Sequence, residues 1–150
     1  MKVYWRCTAL LLFASAFWRP CQAKNVAVVV PKSNSTGNIS STELAKFFAS
    51  GSRKWADGRS VVLVLPGGVS SEDAELAVQR IFKMDQPGAR KFLATHKDLF
   101  ITASSELDVL KTVESTPGSI GLVDVYSITS TINVLKVDGK LPLEQGYLLR

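Results

Sequence analysis

The sequence predicts an α/β fold in which a mixed β-sheet is flanked by helices. Short apolar runs alternate along the chain with amphipathic helical segments, which is typical of a layered sheet. The run at residues 26–30 is apolar at every position and rich in valine, the pattern of a strand buried on both faces. About 127 residues follow a separate N-terminal segment, which is the size of one domain.

The first part of this domain is predicted to contain two strands and a short helix. Pro31 ends the strand at residues 26–30, and a polar loop follows. Ser40 and Glu43 then form a capping-box pattern, which predicts the start of an apolar helix. Residues 61–65 are again apolar and β-branched, and they predict a second buried strand.

Two longer helical segments come next. Ser70 and Ser71 are predicted to start a helix that runs to about Lys83. Pro87 suits the first turn of a further helix that ends near Thr95. A short strand is expected after it, at residues 99–101.

The C-terminal part continues the alternation. Ser104 or Ser105 is predicted to cap a helix that has Leu107, Leu110 and Val113 on one face. Two more strands are predicted, at residues 120–123 and 132–137.

Residues 1–23 have the features of an export signal. Two basic residues near the start precede an apolar segment at residues 8–17, which is too short to cross a bilayer as a helix. Cleavage after Ala23 leaves a mature domain at residues 24–150, and we expect it in the periplasm or outside the cell. The alternative is a lipid-modified Cys21 at the mature N-terminus.

Charge and cysteine content argue against nucleic-acid binding and against a disulfide in the mature chain. The full chain has 18 Lys+Arg and 13 Asp+Glu, a net charge of +5. Three of the basic residues lie in the export signal, so the mature chain keeps 15 against 13, a net charge of +2. Basic and acidic residues are interleaved, which argues against nucleic-acid binding. Both cysteines also lie in the export signal, so we expect no disulfide in the mature chain.

Several segments, in this order, resemble the second lobe of the phosphate-class periplasmic solute-binding proteins. The most specific is T-P-G-S-I-G-L-V at residues 116–123, which is similar to the family's T-P-G-A-I-G-Y-V. The other matching segments are at residues 28–34, 40–44, 55–59, 61–65, 67–71, 134–139 and 146–150. The resemblance covers nearly all of the predicted mature chain.

The resemblance implies a single lobe of a periplasmic-binding-protein-like fold. It also implies capture of a small oxyanion such as phosphate, followed by delivery to a membrane transporter. The chain departs from the family in two ways. It has about half the usual length, so it supplies one wall of a two-lobed cleft. Pro66 and Gly67 also stand where the family has an arginine before a serine-glycine-threonine loop.

Two polar loops are the candidate anion-binding elements. Ser70 and Ser71 lie at a predicted helix start, where unpaired N–H groups and the positive end of the helix dipole favour an oxyanion. Ser33 and Asn34 follow the first strand, and ligands of open α/β sheets usually bind beyond strand ends. We expect the two loops to converge on one small oxyanion.

A function without a ligand is the alternative. Glu72 and Asp73 already place negative charge at the predicted helix start, which favours a plain serine-capped turn. The lobe would then be an interaction or assembly protein of the cell envelope. In that case the open face where the first lobe would have packed should carry exposed apolar residues and mediate homodimerisation or docking to an envelope partner.

The residue patterns do not predict an enzyme, a metal site or a cofactor. His96 is the only histidine, and no acids are paired at the spacing of metal ligands. Ser119 lacks the glycine spacing of a nucleophile elbow. We therefore expect a binding function without chemistry.

Overall fold

A computed structural model of the protein describes residues 24–50, 53–67 and 71–150. The predicted export signal at residues 1–23, with both cysteines, lies outside the described residues, and so does Ser70. Within the described part of the chain, no helix combines the length and the apolar character needed to cross a bilayer.

Seven strands, four α-helices and two 3-10 helices, Lys97–Leu99 and Val125–Ser127, make up the described regular structure. The strands are β1 (Val26–Pro31), β2 (Asn38–Ile39), β3 (Val62–Pro66), β4 (Phe100–Ala103), β5 (Ser119–Asp124), β6 (Ile132–Val134) and β7 (Lys136–Val137). The helices are α1 (Ser41–Ala49), α2 (Glu72–Phe82), α3 (Gln86–Thr95) and α4 (Glu106–Ser115).

The central sheet has five strands in the order β4-β3-β5-β1-β6. β3 is parallel to both β4 and β5, whereas β1 is antiparallel to both β5 and β6. A mixed sheet flanked by helices is therefore present, and the predicted fold class is confirmed.

The prediction of one strand at residues 132–137 is wrong, because the chain changes sheets at Leu135. The backbone N–H of Leu135 donates to the carbonyl oxygen of Val28 in the central sheet, at 2.8 Å. The next N–H, that of Lys136, donates to the carbonyl oxygen of Gly37 at 3.1 Å. β7 thus pairs in parallel with β2 in a separate two-stranded sheet, and β2 itself was not predicted from the sequence.

Side-chain caps begin the four helices, largely where the sequence predicts them. Ser40 Oγ accepts from the Glu43 N–H at 3.2 Å, and a Glu43 carboxylate oxygen accepts from the Ser40 N–H at 3.1 Å. These two bonds complete the predicted capping box. Ser71, Asp85 and Ser105 cap the other three helices.

The two faces of the central sheet bury different sets of side chains. Val28 and Leu63 belong to a core formed with α1, α2 and α3, and we call this side of the sheet the three-helix face. Val29 and Val64 point to the opposite side and pack with buried residues of α4, and we call this side the α4 face. Alternation along the strands explains the division, since successive residues of a strand point to opposite faces.

α4 packs closely against the sheet at Gly121 of β5. A Cβ atom at this position would lie 2.7 Å from Val113 and 2.9 Å from Val109. Such contacts are shorter than van der Waals packing allows, so glycine is required for the helix to lie this close to the strand.

Leu107 corrects one sequence expectation about α4. It was predicted to share a buried face with Leu110 and Val113, but its side chain is 56% exposed. Glu106 faces the sheet in the first turn instead, four residues before Leu110, and contacts Asp124 and Ser127 at and beyond the end of β5. Leu107 is about 100° further round the helix and therefore points away from this buried face. Leu110 and Val113 are buried, as predicted.

Candidate functional site

The two predicted anion-binding loops lie at opposite edges of the central sheet. β1 is antiparallel to β5, with Val26 opposite Asp124. β3 is parallel to β5, with Val64 opposite Gly121. β1 and β3 therefore run in opposite directions. We call the edge where β3, β4 and β5 end the carboxyl edge, and the edge where β1 ends the amino edge.

Side-chain contacts agree with this topology. Arg59, just before β3, donates a hydrogen bond to the carbonyl oxygen of Ser33, at 3.4 Å. Lys24, just before β1, lies 2.7 Å from the carboxylate of Asp73 in the first turn of α2. The expectation that the two loops converge on one ligand is therefore wrong, because the antiparallel β1 carries its following loop to the amino edge.

At the amino edge, Asn34 is part of the turn that follows β1. The Asn34 Oδ1 accepts from the backbone N–H of Thr36 at 2.9 Å, and its own backbone N–H donates to Pro31 at 2.9 Å. Its side chain is buried, whereas Ser33 is exposed. These contacts give Asn34 a structural part in the turn, and anion binding by Ser33 stays a prediction.

At the carboxyl edge, Ser71 is the N-cap of α2. Its Oγ accepts from the backbone N–H of Ala74 at 3.5 Å. The backbone N–H of Gly67, which follows β3, donates to the carbonyl oxygen of Ala103 at the end of β4, at 2.8 Å. A Cβ atom at Gly67 would lie 3.5 Å from the Cβ of Ser71, so Ser71 lies beside the end of this parallel strand pair. Ser70, which was predicted to bind the anion together with Ser71, lies outside the described residues.

The charge around the start of α2 opposes an incoming anion. The Lys24 ammonium lies 2.7 Å from the Asp73 carboxylate and 3.4 Å from that of Glu72. The hydrogen bond to Asp73 raises the pKa of Lys24, although burial opposes the rise. One cation thus faces two carboxylates, which leaves a negative balance where a ligand would need a positive one.

A second helix start, that of α4, lies at the same edge and also has its own acids. Ser105 Oγ accepts from the backbone N–H of Asp108 at 3.2 Å. The carboxylate of Glu106 accepts from the backbone N–H of Asp124 at 3.3 Å and from the hydroxyl of Ser127. Acidic groups therefore occupy both helix starts that face the carboxyl edge.

His96 ends α3 as a packed side chain. Its ring stacks on Phe92 at 4.3 Å between ring centres, and its Nδ1 lies 2.8 Å from the Phe92 carbonyl oxygen. In the described ranges, no three His, Cys, Asp or Glu residues are grouped so that they could hold a metal ion.

The largest exposed apolar groups lie mainly on the α4 face. An open groove of about 280 Å³ there includes Leu141 and Leu143, and the Leu143 side chain is 59% exposed. Val134 and Ile128, which pack against the α4-face core, form its inner side. We define the α4-face apolar surface as Leu107, Val125, Tyr126, Ile128, Val134, Leu141 and Leu143. For a lobe without ligand, the sequence predicted an exposed apolar face where the first lobe of the family would have packed, and that position stays a prediction.

Comparison with solved structures identifies the class of fold. The chain has the fold of a single lobe of the phosphate ABC transporter substrate-binding proteins, as the resemblance predicted. No protein-family model and no curated protein matches the sequence.

Three solved structures illustrate the likeness, each matched over 79% of this chain. An ABC-type phosphate transport receptor from Vibrio cholerae has a TM-score of 0.65 and 12% identity over 48% of its own length. PstS from Borrelia burgdorferi has a TM-score of 0.61 and 21% identity over 49% of its length. A phosphate-binding protein from Stenotrophomonas maltophilia has a TM-score of 0.62 and 21% identity over 40% of its length. The chain thus spans less than half the length of these neighbours, and at this identity the likeness concerns the fold alone.

Proposed function

We propose that this protein is an exported binding module that uses one solute-binding-protein lobe to dock a protein partner of the cell envelope. The observation that carries the proposal is the placement of the predicted ligand loops at opposite edges of the sheet. Ser33 and Asn34 cannot join Ser71 around one small oxyanion in this topology. A lobe of this kind is better suited to a surface interaction than to enclosing a solute.

The α4-face apolar surface supports a protein partner of defined chemistry. Exposed apolar patches on a folded domain often mark interaction sites, and Leu107 and Leu143 are both more than half exposed. α4 itself carries three acids and one lysine, and Glu144 lies at the groove. We therefore expect a partner with an apolar patch bordered by lysine or arginine. Two copies of this chain would bring like charges together, so a heterologous partner is favoured over a homodimer.

Site-specific photo-cross-linking in the cell of origin tests this interface. A benzophenone amino acid at Leu107 or Leu143 should yield the same cross-linked protein, whereas the same probe at Lys91 on α3 should yield none. With the purified partner, Leu143→Ser should weaken binding by roughly 10-fold, and added salt should weaken it further. An unchanged affinity for Leu143→Ser would contradict the proposal, and so would cross-linking only to a second copy of the chain.

A second candidate function is weak oxyanion binding at the start of α2, by Ser70 and Ser71. The observation in its favour is that the helix starts of α2 and α4 both face the carboxyl edge, where parallel strands end and ligands usually bind. The solved neighbours are named as phosphate-binding proteins, which supports a phosphate-like ligand for this lobe. Delivery to a membrane transporter would then follow.

The acidic residues at the carboxyl edge allow a direct test of oxyanion binding. Glu72→Gln removes an exposed like charge beside the site, so it should strengthen phosphate binding by roughly 2-fold to 5-fold in isothermal titration. The matched control, Glu114→Gln in the last turn of α4, should leave the affinity unchanged. If phosphate and sulfate give no heat at about 10 mM with either variant, the oxyanion function is excluded. The free energy of binding would then be less favourable than about 3 kcal/mol.

A further inference from the structure

A cleft of about 370 Å³ at the amino edge has the features of a separate ligand site. α1 contributes the consecutive residues Lys46 and Phe47. The segment before β3 contributes Lys54 and Trp55, and the segment that leads into β2 contributes Thr36. Cationic, aromatic and hydroxyl groups thus surround one concave space.

The aromatic part of the cleft is held in place before any ligand arrives. The rings of Phe47 and Trp55 pack edge to face, with their centres 5.3 Å apart. The Trp55 indole N–H donates to the carbonyl oxygen of Gly118 at 2.8 Å, and its backbone N–H donates to Arg59 at 2.8 Å. A fixed apolar surface of this kind binds a ligand without a large entropic cost of ordering.

The charge of the cleft is the reverse of that at the carboxyl edge. Lys46 and Lys54 are both exposed, and no carboxylate of the described residues lies within 4.0 Å of either ammonium group. Glu43 is the acid among the residues that line the cleft. Hydrogen bonds from the backbone and hydroxyl of Ser40 lower the pKa of Glu43, so it is ionised at neutral pH. Two cations against one carboxylate leave a positive balance.

Polar donors are also present at the rim. The Asn38 Oδ1 accepts from the backbone N–H of Gly139 at 2.8 Å, which fixes the side chain and leaves its NH₂ group as a donor. Asn38 lies beside Thr36 in the lining of the cleft. An anionic group near the two lysines would therefore find additional hydrogen-bond donors.

We propose that this cleft binds a small organic anion, in which a carboxylate or phosphate group is attached to an aromatic or aliphatic body. The acidic group contacts Lys46 and Lys54, and the body packs against Phe47 and Trp55. Because the site uses both parts of the ligand, an inorganic anion and a neutral aromatic molecule should each bind more weakly than a molecule that combines them. The site is independent of the α4-face apolar surface and of the start of α2.

Tryptophan fluorescence reports directly on this cleft. The chain contains Trp5, Trp18 and Trp55, so a protein exported and cleaved near Lys24 keeps Trp55 alone. In a sample that retains the N-terminal segment, Trp5→Phe and Trp18→Phe give the same single reporter. Titration with phenyl phosphate should change the Trp55 emission saturably. The affinity should exceed those for inorganic phosphate and for phenol by roughly 10-fold each.

Three charge variants and a matched control separate binding from a change in folding. Lys46→Gln and Lys54→Gln should each weaken phenyl phosphate binding by roughly 3-fold to 10-fold. Glu43→Gln should strengthen binding by roughly 2-fold to 5-fold, since glutamine retains the capping box while the negative charge is removed. Lys91→Gln, on the exposed surface of α3, should leave the affinity unchanged.

Three results would overturn the proposal. One is an emission that does not change saturably at about 10 mM phenyl phosphate, which would mean an affinity too weak for a built site. Another is binding that all three charge variants leave unaltered, which would place the ligand elsewhere. Equal affinity for phenol and phenyl phosphate would likewise exclude the role assigned to the lysines.

Discussion

The two faces of the central sheet are covered to different extents. On the three-helix face, α1, α2 and α3 together bury Phe48, Leu63 and Leu122, each of which is at most 1% exposed. On the other face α4 is the one described α-helix, and it packs against the buried residues of the sheet. Ile101 lies in β4 opposite Val64, on this same face, and is 44% exposed.

This difference separates what stabilises the lobe from what is available for binding. Burial of apolar area is the main source of stability, and the three-helix face provides most of it. The α4 face has apolar groups that the described part of the chain leaves exposed, and these are the groups that our proposed partner would contact. A protein can retain such groups only where they cost little stability or serve a function.

The largest expected effect comes from truncation on the three-helix face. Phe48→Ala should reduce the free energy of unfolding by about 3–5 kcal/mol, because it leaves a cavity beside Leu44 and Phe100. Leu107→Ala, the corresponding truncation on the α4 face, should change it by less than about 0.5 kcal/mol. Urea denaturation of both variants measures the contrast. Similar losses for the two would mean that the faces do not differ in stability as described.

An intermediate effect is expected where the α4 face is tightly packed. Gly121→Ala should destabilise the protein by about 1–3 kcal/mol, because the new methyl group would overlap Val113 and Val109. Gly37→Ala is the matched control, since a Cβ there has no neighbour within 4 Å and the backbone is not left-handed. Thermal unfolding should therefore separate the two variants. If Gly121→Ala leaves the thermal stability unchanged, α4 can move away from the sheet at little cost in free energy.

The smallest effect concerns the link between α2 and α3 on the three-helix face. Glu75 is buried and accepts from Arg90 at 2.7 Å and from Gln86 at 3.1 Å. The bond from Arg90 lowers the pKa of Glu75, although burial opposes the change. The ionised form thus contributes stability above its unfolded pKa, and this contribution is lost as the pH falls through the lower folded pKa.

In Glu75→Gln, the free energy of unfolding should therefore fall less steeply between about pH 5 and pH 3. At neutral pH it should be lower than in the unaltered protein. Urea denaturation across this range provides the measurement. Glu114→Gln removes an exposed carboxylate from α4. It should leave the pH dependence of the free energy of unfolding unchanged from that of the unaltered protein. An identical pH dependence for Glu75→Gln would mean that this buried pair is not coupled to folding.

Local features of the fold could be predicted from the sequence with good accuracy. Ser40 with Glu43, Ser71 and Ser105 all cap the helices that their positions predict. The fully buried β1 follows from its unbroken apolar pattern. These predictions succeed because capping, proline placement and apolar periodicity act over a few residues.

The candidate site was harder to predict, because it depends on strand direction. Ser33 and Asn34 follow a strand, as Ser71 does, and both loops contain serines that could bind an anion. Whether a strand pairs in parallel or antiparallel fashion with its neighbours is set by long-range contacts, and no local pattern in β1 records it. The same limit explains the missed β2, whose partner β7 lies almost a hundred residues away.

The sequence by itself thus determined most of the segments, their caps and the α/β class, since each rests on interactions between near neighbours, whereas β2 and the change of sheet at Leu135 rest on long-range pairing. Tertiary structure alone decided which loops share an edge, which apolar groups stay exposed and where charges of one sign collect. β1 is antiparallel to β5, whereas β3 is parallel to it. This pairing places the loop after β1 at the amino edge and the loop after β3 at the carboxyl edge. The physical reason is that pairing direction is selected by the packing of the whole sheet, to which every strand and helix contributes.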